Sequence, residues 1–129
     1  MKGEERRVKG EIRPLQARTF EFALGVVKLC QILDNQGRTE STISRQLLRA
    51  GTSIGANVEE GQASQSEADF LAKYSIACKE ARETHYWLRL LSASAILEDV
   101  RLRDLLTECN ELIAILTSIV KKLRAKQGR

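Results

Sequence analysis

The apolar positions of this chain fall into four long stretches with helical spacing, separated by short interruptions. In the first stretch Leu15, Phe22, Val26, Leu29 and Leu33 lie on one stripe, and Phe20, Ala23, Val27 and Cys30 widen it. This predicts a helix over 15–35, entered through Pro14, which suits a first helical turn, and stopped by Gly37. In the second, Ile43, Leu47, Ala50, Ile54 and Val58 recur at spacings of four, three, four and four, predicting a helix over 41–60. A hydroxyl among Thr39, Ser41 and Thr42 is its expected cap, and Gly61 its expected end. Gly51 and Gly55 stand one turn apart inside it. Each helical glycine costs about 1 kcal/mol relative to alanine, so close approach of another backbone is expected there.

The connection GQASQS leads to Ser64 or Ser66 as the cap of a third helix over 66–94, with Glu67 and Asp69 in the first turn, where the helix dipole favours acids. Phe70, Tyr74, Ala77, Ala81, Thr84, Leu88 and Leu91 then alternate four and three for three heptads, a bundle seam. The break at 95–99 carries no glycine or proline. The fourth helix, over 100–125, repeats Leu102, Leu105, Cys109, Leu112, Leu116, Ile119 and Leu123, with Leu106, Ile113 and Val120 as a second row. An apolar face this wide predicts burial against more than two neighbours, and hence self-association.

Four such helices joined by short connections read as an all-α protein, an up-down antiparallel four-helix bundle in a single domain over 15–126. A charged, glycine-containing arm (1–14) precedes it and a short basic end (127–129) follows. The length of 129 residues and the balance of 43% apolar and 29% charged residues fit one globular domain. A single proline and few aromatics argue against an all-β fold. No apolar run approaches the roughly 18 residues of a membrane span, and the N-terminus lacks the apolar core of a signal peptide. A soluble, cytoplasmic protein with no membrane association is expected. Cys30, Cys78 and Cys109 are odd in number, far apart and inside apolar patterns, as free core cysteines are.

The net charge of +4 is unevenly placed. Residues 1–14 carry +2, residues 15–97 balance, and residues 98–129 carry +2. Arg6, Arg7, Lys9 and Arg13 at one end and Lys121, Lys122, Arg124, Lys126 and Arg129 at the other are therefore the candidate nucleic-acid contacts. Solvated tails are the simpler reading of such runs. In an oligomer the set is repeated, and attraction to phosphates grows with the number of contacts.

Reaction chemistry finds little support. Glu80 with Glu83 and Glu108 with Glu111 are carboxylate pairs three residues apart, but bundle di-iron sites also need Glu-x-x-His on two helices. The single histidine, His85, is outside such a motif and cannot anchor a nucleophile–base set. The glycines of GTSIG lack the phosphate-loop spacing. No enzyme activity, metal or cofactor is expected. Asn57, Glu59 and Glu60, at the polar end of the second helix, read as a carboxylate site or, more simply, as residues that satisfy helix ends or pair with Arg82 and Arg89. Trp87 lies off the third-helix seam, which suits an interface between protomers.

The run QLLRAGTSIGANVEEGQASQSEADFLAKYSIACKEARETHYWLRLL, Gln46 to Leu91, resembles the signature region of the four-helix-bundle proteins of the ribosomal-RNA intervening-sequence family. The segment RTFEFALGVVKLCQIL, Arg18 to Leu33, resembles that family's first helix. Gln46, Leu47, Arg49, Ser53, Ile54, Asn57, Glu60, Phe70, Lys79, Glu80, Glu83 and Leu88 are the matching positions. With Glu59, Gly61 and Arg82, these make Arg49, Asn57, Glu60, Glu80 and Glu83 a candidate structural motif. The fourth helix and the termini match in character alone. Members of the family are often encoded within sequences that interrupt bacterial large-subunit ribosomal RNA genes. The resemblance implies a pentameric barrel of bundles. It also implies kinship with accessory proteins of diversity-generating retroelements, which work with a reverse transcriptase and RNA. The expectation is a non-enzymatic homo-oligomer that binds RNA or other nucleic acid through its basic termini. The alternative is a protein-interaction scaffold for a reverse-transcriptase-like partner, without direct RNA binding.

Overall fold

A computed structural model describes residues 14–128; the arm, with Arg6, Arg7, Lys9 and Arg13, and the final Arg129 lie outside the described residues. Four helices follow in order: α1 (Leu15–Asp34), α2 (Arg38–Gln62), α3 (Glu67–Ala93) and α4 (Val100–Gln127). Each packs on its neighbour in sequence, and α1 closes the ring on α4 along a shorter seam, giving an all-α up-down four-helix bundle.

The core is built from the seven-residue stripes. Phe22, Val26, Leu29 and Leu33 of α1 meet Leu47, Ile54 and Val58 of α2, Tyr74, Ala77, Ala81, Leu88 and Leu91 of α3, and Leu102, Leu105, Leu112 and Leu116 of α4. Each fully buried leucine among them contributes roughly 1.5–3 kcal/mol relative to exposure. Cys30, Cys78 and Cys109 are buried and free. Three polar residues, Thr19, Ser44 and Thr84, also enter the core, each donating its hydroxyl to a backbone carbonyl. Ser44 Oγ donates to the Cys30 carbonyl at 3.3 Å while Cys30 Sγ donates to the Ser44 carbonyl at 3.4 Å, a reciprocal stitch between α1 and α2.

Several local expectations need correction. Gly37 does not merely stop α1; it is the N-cap position of α2, which begins at Arg38 without a side-chain cap, the Ser41 N–H bonding to the Gly37 carbonyl at 2.9 Å. Gly61 does not end α2 either. It lies inside the last turn, buried, where a Cβ would stand 2.6 Å from Tyr74 Cε1, so its missing side chain makes room for a ring. Of the two interior glycines, Gly55 is against the Thr19 backbone of α1, with 3.3 Å from an ideal Cβ to the Thr19 carbonyl oxygen, whereas Gly51 accommodates the methyls of Val26. Phe20 and Val27 do not widen the buried face of α1; with Leu24 they form an exposed stripe on its outer side, Phe20 being 56% exposed. The second row of α4 is absorbed instead, with Leu106 and Ile113 half-buried against the core and Val120 buried.

Ser66 caps α3, accepting the Asp69 N–H at 3.1 Å, and Asp99 caps α4, accepting the Arg101 N–H at 2.8 Å. Between these two helices the chain reverses through Ala95, whose φ of 56° is left-handed. A non-glycine residue there costs about 1–2 kcal/mol. Ile96 and Leu97, tucked against the core immediately after it, supply burial that offsets the cost.

Candidate nucleic-acid interface

Each carboxylate pair holds an arginine of a neighbouring helix. Glu108 and Glu111 of α4 grip Arg18 of α1: Arg18 Nε and Nη2 reach the two Glu108 oxygens at 2.9 and 2.7 Å, and Nη2 reaches Glu111 at 2.7 Å. Such two-pronged pairing is the stronger form of charge-assisted hydrogen bond. The bond to Glu108 raises the Arg18 pKa, fixing its charge against the opposing effect of burial. Glu80 and Glu83 of α3 grip Arg49 of α2 in the same manner, at 3.2 and 2.6 Å. Glu83 also accepts Trp87 Nε1 at 3.1 Å. The Arg49 guanidinium, then the Trp87 indole, hold the Glu83 carboxyl below its usual range. Acids three residues apart thus serve as arginine clamps that lock α1 to α4 and α2 to α3. Among the described residues no group of three His, Cys, Asp or Glu is gathered for a metal.

The polar end of α2 is similarly local. Asn57 Nδ2 folds back on Ser53, donating to its carbonyl at 2.9 Å and to its hydroxyl at 3.1 Å. Glu60 pairs with Lys73 at 3.1 Å, not with Arg82 or Arg89. Arg89 stands 5.9 Å from the Tyr86 ring centroid, and Arg82 faces elsewhere, into the groove described next. Glu59 is exposed. Trp87 is half-buried against the core, and the exposed aromatic of α3 is Tyr86, at 48%. His85 is partly buried, and that burial, with Arg89, lowers its pKa and favours the neutral ring.

Four cations of the described molecule gather between α3 and α4. A groove of about 380 Å³ is lined by Ser75, Cys78, Lys79 and Arg82 from α3 and by Thr117, Val120, Lys121 and Arg124 from α4. Cys78 Sγ and Thr117 Oγ1, 3.4 Å apart, join its two sides at the floor. No carboxylate lines it. Among the described residues none of its four cations has an ion-pair partner, although the field of Lys79 reaches Glu83. The sequence locates half of this set. Lys121 and Arg124 belong to the basic C-terminal run, while Lys122 is exposed outside the groove and Lys126 is bound to Glu67 of α3. Lys79 and Arg82 are missed as anion contacts. Their spacing of three matches that of Lys121 and Arg124, yet only the antiparallel alignment of the two helices sets the pairs face to face.

An up-down helical bundle with a cationic groove between its last two helices is the class that fold and site define. The sequence profile of the 23S rRNA-intervening sequence protein family matches residues 15–118, and the chain belongs to that family. Among solved structures it is similar to a Bacteroides thetaiotaomicron protein of the S23 ribosomal protein family, described as of unknown function. The two are 40% identical, the match covers 84% of this chain and 99% of the other, and the TM-score is 0.77. No curated protein matches it.

Proposed function

We propose that this protein is a non-enzymatic homo-oligomer that binds RNA, or another nucleic acid, through phosphate contacts made by the α3–α4 groove together with the basic chain ends. The observation that carries the reading is the groove itself: Lys79, Arg82, Lys121 and Arg124 converge there with no acid among the lining residues. A cation cluster without an ion-pair partner among the described residues is poised to release counterions onto a polyanion. Hydroxyls of Ser75 and Thr117 add neutral donors for phosphate oxygens.

Self-association is supported by the α1 stripe of Phe20, Leu24 and Val27, all at least 36% exposed, and by the exposed Leu48 of α2 and Ile76, Tyr86 and Leu90 of α3. An apolar stripe of this kind on an otherwise charged bundle is a common mark of a subunit contact. A pentamer is the state that we propose, in the cytoplasm, where three buried free thiols persist. Light scattering at micromolar concentration tests it; a mass near 14.5 kDa would show a monomer.

The binding test is a labelled single-stranded RNA titrated across a salt series. With four phosphate charges neutralised per groove, affinity should fall about 50-fold between 50 and 200 mM salt, and about 7-fold once Arg82→Ala and Arg124→Ala leave two. Affinity insensitive to both salt and substitution would remove RNA binding by this surface. A scaffold role for a reverse-transcriptase-like partner would then lead, recognisable as a partner retained in pull-downs after nuclease treatment.

A further inference from the structure

We infer that the α3–α4 groove takes a terminal phosphate chain, the di- or triphosphate of an RNA 5′ end or of a free nucleotide, and not a length of phosphodiester backbone. This inference rests on the phosphate-binding reading above and narrows its ligand.

The argument is one of charge density. Lys79 and Arg82 are three residues apart on α3, and Lys121 and Arg124 three apart on α4, so the cations span only about 4.5 Å along each helix. A nucleic-acid strand places one negative charge per roughly 3.4 Å, hence one to two charges within that span. A terminal triphosphate places about four in a similar length, because its last phosphoryl carries close to two. Four cations match the second ligand and exceed the first.

The groove is also bounded, where a backbone track would continue. Toward the start of α3 the charge is cancelled, since Lys126 crosses to Glu67. One turn beyond Arg82 come partly buried His85 and exposed Tyr86, and the next cation, Arg89, is turned over the Tyr86 ring. The volume of about 380 Å³ lies near the lower end of the range of about 300–1,000 Å³ typical of small-ligand sites. Its floor offers the Ser75 and Thr117 hydroxyls and a thiol, suited to phosphate oxygens, with Val120 as the apolar contact.

The test compares one RNA sequence bearing a 5′-triphosphate, a 5′-monophosphate or a 5′-hydroxyl, by fluorescence anisotropy with the intact protein, with inorganic tripolyphosphate and ATP as competitors. The triphosphate RNA should bind at least tenfold more tightly than the hydroxyl RNA, and tripolyphosphate should displace it. Arg82→Ala with Arg124→Ala, both exposed positions, should abolish the difference between the three ends while circular dichroism stays unchanged. If a fluorescent ATP analogue binds and tripolyphosphate displaces it while no RNA binds, the groove is a nucleotide site and nucleic-acid binding fails. Equal affinity for all three RNA ends, with no effect of tripolyphosphate, would overturn this inference and leave backbone binding standing. Loss of every ligand would remove both.

Discussion

Replacing Gly61 with alanine separates helix propensity from packing. Propensity alone favours Gly61→Ala by about 1 kcal/mol in a helical position. The structure opposes it, because the new Cβ would stand 2.6 Å from Tyr74 Cε1 and 2.7 Å from Cδ1. That ring has nowhere to go. Tyr74 is 1% exposed, stacked on Phe70 with centroids 4.2 Å apart, and its hydroxyl accepts Gln62 Nε2 at 2.6 Å. Overpacking costs about 1–3 kcal/mol, and displacing the ring threatens a hydrogen bond worth about 1 kcal/mol more. The net expectation is a loss of about 1–3 kcal/mol, a fall in Tm of roughly 3–15 °C for a chain of this size. Gly25→Ala is the comparison. There the Cβ meets only the tip of Leu105, 3.0 Å from Cδ2 with the next atom at 3.9 Å, a flexible end that can rotate away. It should be neutral or stabilising by up to about 1 kcal/mol. Thermal denaturation followed by circular dichroism, at one fixed protein concentration because association shifts Tm, reads both. Gly61→Ala as stable as Gly25→Ala would refute the ring-against-glycine account.

Two further outcomes follow from the electrostatics and the thiols. Arg49, first, and Trp87, second, hold the Glu83 carboxyl below its usual 4.5 in the folded chain. The stability from that pairing is therefore present above about pH 4.5 and is lost as pH falls through the lower folded value. Trp87 is the single tryptophan, so its emission should report Glu83 protonation at a lower pH in the parent chain than in Arg49→Ala; identical titrations would break the clamp assignment. Burial pushes the Cys109 thiol up to about 12, and its Sγ is committed to the Ala81 carbonyl at 3.3 Å, while burial also raises Cys30. Iodoacetamide at pH 8 should leave both unmodified by mass spectrometry until denaturant is added, and fast labelling of either in the native protein would contradict their placement.

The sequence by itself determined the helices, their order and most of the core, because a helix that must bury one side writes its apolar residues at spacings of three and four. Tyr74, Ala77, Ala81, Leu88 and Leu91 could be read that way, and all are buried. Spacing within a helix says nothing of what lies across from it, and there the tertiary structure decided. Glu80–Glu83 and Glu108–Glu111 look alike in one dimension as metal candidates, and only helix pairing brings Arg49 and Arg18 into their grip. Gly61 looks like a stop because the sequence cannot show the Tyr74 ring that occupies its missing side chain. Phe20 and Val27 look like core because a stripe's outer margin is settled by how far the neighbouring helices extend around it. The candidate site followed the same rule. The basic run at 121–126 was legible, but its division among the groove, an ion pair with Glu67 and open solvent depended on α3. Lys79 and Arg82 join the candidate groove only because antiparallel packing places them opposite Lys121 and Arg124, since charges are brought together by distance in space and not by separation along the chain.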